Sequence, residues 1–314
     1  ALVGALGGGA DLAASRTGLK ANTSHKLDAL LAPRQEGVLL SASRIAMSNH
    51  VKVMGVVNVT PDSFSDGGRF LAPDAALAHA RMLIAQGADI LDIGAESTRP
   101  GSDPVSTRDE IARAVPLITA IREESAIPIS IDTMKPEVAR AAVAAGANIW
   151  NDVTALTHSP DALSVAAELG CEVMLMHMQG APRTMQAEPR YDDVVTEVSA
   201  FLAARAEAAV MAGVARDKIW LDPGIGFGKS LEHNLTLLAH LDEMAGLGFP
   251  VVLGVSRKSL IAAIDPGVSP AHRLPGSLAA ALAGAQAGVA ALRVHDVAET
   301  IQALKVWRAI EDAR

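Results

Sequence analysis

The strongest constraint on the fold is an alternation of two kinds of segment that begins near residue 51. A short apolar run, often β-branched, is followed each time by a longer helical stretch rich in Ala and Leu. Runs that are apolar almost throughout are typical of parallel strands covered on both faces. The eight runs are VKVMGVVNV (51–59), DILDIG (89–94), IPISIDT (127–133), NIWNDV (148–153), CEVMLMH (171–177), KIWLDPG (218–224), FPVVLGVS (249–256) and VAALRVHD (289–296). Eight such strand–helix units predict an α/β fold of the (β/α)8 TIM barrel type, as a single domain.

A doubly wound open sheet also alternates strands and helices and is the main alternative. The barrel is favoured because there are eight units and because no Gly-rich dinucleotide fingerprint follows the first strand. Residues 1–47 do not follow the alternation and are rich in Ala, Gly, Ser and Leu. We therefore expect a barrel domain over residues 48–314 and an N-terminal extension over residues 1–47. The extension is expected to be flexible, or to form part of a hairpin (37–53) at the bottom of the barrel.

Composition and charge exclude several other classes of protein. The net charge is -8 and no long Lys/Arg run occurs, so the sequence shows no general nucleic-acid-binding surface. Cys171 is the only cysteine, which excludes an intrachain disulfide and fits a reducing cytoplasm. No apolar run reaches the ~18 residues of a membrane helix, and the start of the chain lacks the basic region of a signal peptide. We expect a cytoplasmic protein.

Polar or charged side chains stand at or near the end of every predicted strand. An unpaired buried polar group costs about 1–3 kcal/mol, so eight such ends are unexpected in a purely structural core. In a TIM barrel the carboxyl ends of the strands form the catalytic face. Single residues have plain structural alternatives, since Asp132 could cap the next helix and His177 could be a buried core histidine. The set includes Asn58, Asp92, Glu96, Asp132, Asn151, Asp152, His177, Asp222, Lys258, Arg293 and His295.

The kinds of side chain at these ends also indicate a class of ligand. Asp132, Asn151 and Asp222 suit a flat heterocycle with adjacent N–H donors, because a carboxylate accepts two parallel N–H bonds. Lys258 and Arg293 offer positive charge for anionic oxygens. Together they predict a heterocycle held at depth, with an anionic and phosphorylated group nearer the mouth.

Two long loops are expected to overhang this mouth. They are TPDSFSDGGRF after the first strand and STRPGSDPV after the second, and both contain Gly, Pro, Ser and Asp. Their length favours a lid over simple connections. Asn58, at the end of the first strand, offers an oxygen for a hard cation such as Mg²⁺ or an amide for a phosphate. The chain has no H-E-x-x-H zinc motif, no G-x-S-x-G and no Walker lysine loop.

Eight motifs occur in the order found in one known family: MGVVNVTPDSFSDGGRF, DIGAESTRPGSDPV, SIDT, NDV, LMHMQGAPRTMQ, LDPGIGFGK, GVSRKS and RVHDVAET. Over roughly residues 51–305 the chain resembles bacterial dihydropteroate synthases. The resemblance implies a TIM barrel that condenses 6-hydroxymethyl-7,8-dihydropterin pyrophosphate with para-aminobenzoate, giving 7,8-dihydropteroate and pyrophosphate. It also implies assistance by Mg²⁺, competition by sulfonamides and a homodimer. Ala95 stands where the family pattern has Gly.

The resemblance assigns roles to the matching positions. Asp132, Lys258, Arg293 and Asn58 are the implied catalytic residues, and Asn58 is the implied Mg²⁺ contact. The implied pterin residues are Asp132, Asn151, Asp222, Lys258, Arg293, Met176 and Gly224, and the implied pyrophosphate residues are Asn58, Arg293 and His295. The implied para-aminobenzoate and lid residues are Thr98, Arg99, Pro100, Phe227, Ser259, Asp62, Phe64 and Asp66.

Three other functions fit parts of the sequence. A pterin-binding corrinoid methyltransferase domain shares the barrel and the Asp/Asn set, but the two long loops and the SRKS motif argue against it. An inactive pterin-binding homologue should have lost Asn58, Asp132, Lys258 or Arg293, and all four are present. A phosphate-binding isomerase has only analogy of fold in its favour.

Overall fold

The eight predicted strands are all present in the computed structural model of the protein. They are β1 (Lys52–Asn58), β2 (Ile90–Gly94), β3 (Ile129–Asp132), β4 (Ile149–Asp152), β5 (Glu172–Met176), β6 (Ile219–Asp222), β7 (Val252–Gly254) and β8 (Ala291–Val294). The structure describes residues 50–59, 72–96, 104–180, 185 and 188–314. These residues belong to one compact unit, Ser48–Arg314. The expected extension (1–47) and most of the expected hairpin (37–53) lie outside the described residues.

All eight strands are parallel and form one sheet in the order β6-β5-β4-β3-β2-β1-β8-β7. The two ends of this order meet next to β7, where Leu221 of β6 forms a parallel bridge with Val251. There the N–H of Leu221 also donates to the carbonyl of Pro250 at 2.9 Å. The sheet is therefore closed, and the prediction of a TIM barrel is confirmed.

The helices follow the strands as predicted, with two differences of detail. The expected helical stretch 231–248 is interrupted at His240 and gives two helices. The helix expected from about residue 191 begins at Val194, because the Asp193 side chain caps it by accepting the N–H groups of Val195 and Thr196. The α-helices of the described chain are α1 (Ala72–Ala85), α2 (Thr107–Glu124), α3 (Pro136–Ala144), α4 (Ala162–Leu169), α5 (Val194–Ala212), α6 (Leu231–Ala239), α7 (Leu241–Ala245), α8 (Ser259–Ile264), α9 (Leu274–Gln286) and α10 (Val297–Asp312). Among them, no helix is both long enough and apolar enough to cross a membrane.

The apolar core has two separate parts. The larger part lies between the sheet and the surrounding helices and includes Trp150, whose ring N–H donates to the carbonyl of Thr133 at 2.8 Å. The smaller part, here called the bottom layer, consists of Met54, Ile90, Ile149, Met174, Trp220, Val252 and Ala291. Burial of each large apolar side chain stabilises the fold by about 1.5–3 kcal/mol. The bottom layer supports the site that lies further along the same strands.

Candidate active site

The site lies two residues beyond the bottom layer along most of the strands. Because side chains alternate along a strand, a step of two residues returns to the same face of the sheet. The pairs are Ile90 and Asp92 on β2, Ile149 and Asn151 on β4, Met174 and Met176 on β5, Trp220 and Asp222 on β6, Val252 and Gly254 on β7, and Ala291 and Arg293 on β8. This alternation brings polar residues of otherwise apolar strands together inside the barrel.

Arg293 connects two carboxylates across the barrel interior. Its Nε donates to Asp92 Oδ2 at 2.6 Å, and its Nη2 donates to Asp132 Oδ2 at 2.8 Å. Burial opposes the charge of Arg293, but Asp92 and Asp132 outweigh it and hold the pKa of the guanidinium above its usual value. The arginine is therefore a fixed cation in the middle of the site.

Asp92 is a site residue to which the sequence alone assigned no role. It is fully buried, and its second oxygen accepts a hydrogen bond from Asn151 Nδ2 at 3.3 Å. A buried carboxylate in an apolar strand such as ILDIG needs a charged or hydrogen-bonding partner. The aspartate in this strand therefore already indicated that a partner lies inside the barrel. Asp92 positions both Arg293 and Asn151, which were predicted as ligand-binding residues.

Asp132 ends β3 close to Arg293, with 11% of its side chain exposed. Burial raises the pKa of Asp132 to about 7, and Asp92 adds to this shift while Arg293 opposes it. The attraction of Arg293 does not cancel the effect of burial, because the guanidinium is shared between Asp132 and Asp92. Near neutral pH the proton of Asp132 is therefore readily gained or lost.

Lys258 interacts with two other predicted residues, Asp222 and Phe227. Its ammonium lies 4.2 Å from the centre of the Phe227 ring. Burial lowers the pKa of Lys258 to about 8, although the neighbouring Asp222 opposes the shift. Asp222 is itself buried, which raises its pKa, and it accepts the N–H of Gly224 at 2.7 Å. Lys258 therefore lines the pocket as a buried amine near both Asp222 and Phe227.

One pocket brings together all seven residues predicted for the heterocycle. Its lining also includes the predicted Phe227 and three residues that were not predicted, Val153, Ile225 and Gly254. The predicted seven are Asp132, Asn151, Met176, Asp222, Gly224, Lys258 and Arg293. The lining combines apolar side chains with carboxylate and amide groups, which suits a flat ring with polar edges.

Two other predicted residues at strand ends, Asn58 and His295, lie outside this lining. Asn58 ends β1 in register with Gly94 of β2, and a Cβ atom placed on that glycine would lie 3.4 Å from Asn58 Oδ1 and 3.8 Å from Asp132 Oδ2. A Cβ atom at position 94 would therefore be in ordinary contact with both side chains, which flank this glycine. His295 contacts Ser256 Oγ through its backbone N–H at 3.2 Å and its Nδ1 at 3.1 Å.

The second-substrate residues are only partly described. Ser259 is exposed at the start of α8, directly after Lys258. The roles implied for the two loops stay predictions, because their residues lie outside the described part of the chain: Asp62, Phe64, Asp66, Thr98, Arg99 and Pro100.

Gly224 cannot carry a side chain without moving its neighbours. Its φ is +65°, and a Cβ atom would lie 1.9 Å from the carbonyl oxygen of His177. We expect Gly224→Ala to destabilise the fold by about 3 kcal/mol or more in urea denaturation, because strain and overlap add. It should also weaken binding of a pterin ligand, measured by calorimetry.

Gly170 provides a matched control for this substitution. Its φ is +60°, but nothing lies within 4 Å of an added Cβ atom. Gly170→Ala should therefore show only the backbone strain, about 1 kcal/mol, with unchanged ligand binding. Equal losses of stability in the two variants would contradict the close approach to His177.

Comparisons with known proteins agree with this geometry. The family model described as "Pterin binding enzyme" matches residues 54–295. The dihydropteroate synthase of Escherichia coli (strain K12) is 47% identical over 266 residues, which cover 85% of this chain and 94% of that protein. The chain belongs to the dihydropteroate synthase family. The activity is accordingly that of a transferase in folate biosynthesis, which confirms the main interpretation of the sequence.

Solved structures show the same similarity. The dihydropteroate synthase of Xanthomonas albilineans with 4-aminobenzoic acid is 51% identical, with a TM-score of 0.79, covering 83% of this chain and 93% of that chain. The same protein in complex with 7,8-dihydropteroate is 48% identical in its matched part, with a TM-score of 0.76, covering 83% of this chain and 94% of that chain.

Proposed function

We propose that this chain condenses 6-hydroxymethyl-7,8-dihydropterin pyrophosphate with para-aminobenzoate and that the pterin occupies the pocket described above. The observation that carries the proposal is the pocket lining, in which all seven predicted pterin residues meet. The X. albilineans protein has been solved with 4-aminobenzoic acid and with 7,8-dihydropteroate, one of the proposed substrates and the proposed product.

Recognition of the pterin would depend on groups held by the strands. The carboxylate of Asp222 can accept two adjacent N–H groups of a flat heterocycle, and Asn151 can both donate and accept. Lys258 supplies a cationic donor opposite Asp222. Val153 and Met176 supply apolar walls for the faces of the ring. Such a site rejects rings that leave a buried carboxylate unpaired.

The chemical step would be a dissociative substitution at the methylene carbon. The bond from this carbon to the pyrophosphate oxygen breaks, and its electron pair leaves with pyrophosphate. The carbon becomes a cation conjugated with the pterin, and Asp132 stabilises the positive charge. The nitrogen of para-aminobenzoate then forms the new bond and releases a proton. We also expect ordered binding, with the pterin first.

The donor groups present fit a Mg²⁺ ion carried largely by the substrate. Within the described residues, no three His, Cys, Asp or Glu side chains are grouped as a metal site. Mg²⁺ is commonly bound by one or two protein oxygens, waters and substrate phosphates, and Asn58 offers one such oxygen at the end of β1. The bound ion would neutralise the charge of the pyrophosphate leaving group. Arg293 and His295 would bind other oxygens of the same group.

The homodimer and the cytoplasmic location stay predictions. Val306 and Ile310 of α10 are exposed by 58% and 54%. This apolar surface on a late helix supports the proposed homodimer.

A coupled assay tests the proposed function directly. Pyrophosphate should be released when the pterin pyrophosphate and para-aminobenzoate are mixed with the protein, and 7,8-dihydropteroate should appear in equal amount. A sulfonamide should compete with para-aminobenzoate and leave pterin binding intact. Pyrophosphate release without any dihydropteroate, or no release at all, would contradict the proposal. Methyl transfer to a corrinoid would instead support the alternative enzyme.

The titration of Asp132 leads to an expected pH profile. Since burial raises its pKa to about 7, lowering the pH protonates the carboxylate that stabilises the cation. We expect kcat/KM for the pterin substrate to fall about tenfold per unit below about pH 6.5. Loss of the Lys258 charge, with a pKa of about 8, should produce a second decline at higher pH. In Asp132→Asn, the only decline of kcat/KM at low pH should be the part caused by ionisation of the substrate. If the decline at low pH were identical in both proteins, Asp132 would be excluded as its cause.

A further inference from the structure

Lys229 is a buried lysine at the end of the loop that joins β6 to α6. Only 2% of the residue is exposed. Its Nζ lies 2.9 Å from His177 Nδ1 and 3.0 Å from each of the carbonyl oxygens of Gly224 and Phe227. The carbonyl of His177 lies 3.3 Å away. Among the residues that the structure describes, no carboxylate forms an ion pair with this ammonium.

An ammonium surrounded by neutral acceptors is costly to bury. Burial lowers the pKa of Lys229 to about 7, with Asp222 opposing the shift. Burial and the nearby Lys229 lower the pKa of His177 to about 3, so the imidazole is neutral and its Nδ1 accepts the lysine hydrogen bond. An apolar side chain would fill this space without that penalty, so the hydrogen bonds are the distinctive contribution of the lysine.

Those hydrogen bonds fix the loop that carries Phe227. The lysine ties the carbonyls at both ends of the segment 224–227 to His177 at the end of β5. At the other side of the same segment, Gly226 N–H donates to Asn234 Oδ1 at 2.7 Å. The Phe227 ring held in this way lies 4.2 Å from the Lys258 ammonium.

We propose that Lys229 is a positioning residue that holds Phe227 in place for para-aminobenzoate and touches neither substrate itself. This inference rests on the proposed function, since it concerns the second-substrate side of the same pocket. Asn151 and Asp222 lie on strands, and Gly224 is also held by its N–H bond to Asp222 at 2.7 Å. Phe227 lies further along the loop that the lysine organises. Removing the lysine therefore affects the second substrate more than the pterin.

The test replaces Lys229 by methionine, which keeps the length of the side chain, and by glutamine, which keeps a donor. Lys229→Met should raise KM for para-aminobenzoate about tenfold to a hundredfold, as expected for a misplaced contact. The Kd of the pterin substrate should change by less than about threefold. Lys229→Gln should lie between wild type and Lys229→Met.

Lys218→Met is the matched control. Lys218 lies just before the opposite end of β6, away from the site, and donates to the carbonyl of Gly170. Both constants should therefore stay unchanged in this variant.

An unchanged KM in Lys229→Met, or an equal loss of pterin affinity, would overturn the inference. If the methionine variant does not fold, the glutamine variant decides by the same two constants. Absence of condensation in the wild-type protein would instead contradict the proposed function.

Discussion

Asp132→Asn is expected to lower kcat by about 10²–10³-fold while the Kd of the pterin substrate changes by less than about fivefold. The carboxylate stabilises a positive charge that develops only after the pyrophosphate bond begins to break, so its loss raises the energy of the transition state. Asparagine keeps the shape of the side chain and can still lie beside Arg293. Steady-state turnover and calorimetric binding of the pterin substrate measure the two effects separately.

Asp222→Asn provides the matched comparison, a second carboxylate that lines the same pocket. It should mainly weaken pterin binding, because an amide accepts only one of the two parallel N–H bonds that a carboxylate accepts. A normal kcat in Asp132→Asn would remove this residue from the chemical step. Loss of pterin affinity equal to the loss of turnover would make Asp132 a binding residue only.

Arg293→Met is expected to abolish measurable condensation and also to lower the free energy of unfolding by about 3 kcal/mol near neutral pH. The reason lies in its two partners, because Asp92 and Asp132 would be left close together without a cation. Without the opposing charge of Arg293, burial and Asp92 would raise the pKa of Asp132 further. The loss of stability should therefore shrink as the pH falls and Asp132 takes up a proton. Urea denaturation at several pH values measures this dependence.

A second substitution separates the structural role of Arg293 from its role in the reaction. The double variant Arg293→Met/Asp92→Asn removes one of the two stranded charges, so it should regain more than half of the lost stability. It should remain inactive, because the cation that faces the pyrophosphate is still missing. Wild-type stability in Arg293→Met alone would show that the two carboxylates do not depend on this guanidinium.

The fold and most of the candidate site could be predicted from the sequence because both depend on local patterns. Apolar runs of strand length alternate with helical stretches, and this alternation gave all eight strands within a few residues of their observed bounds. Polar residues at the carboxyl ends of parallel strands converge in any closed barrel, so Asp132, Asn151 and Asp222 were expected to meet. Local backbone geometry was harder to anticipate. The start of α5 depends on the Asp193 cap, and the break at His240 lies at a residue with a non-helical backbone conformation.

By itself, the sequence determined which side chains reach the catalytic face, because strand periodicity fixes the face of the barrel to which each residue points. Only the tertiary structure decided which of them are partners. Arg293 and Asp92 are 201 residues apart and meet because β8 and β2 both flank β1. Lys229 and His177 meet because the loops after β5 and β6 lie side by side. Hydrogen bonds and ion pairs act over a few ångströms in space, and a local pattern in the chain carries no record of distances across the barrel.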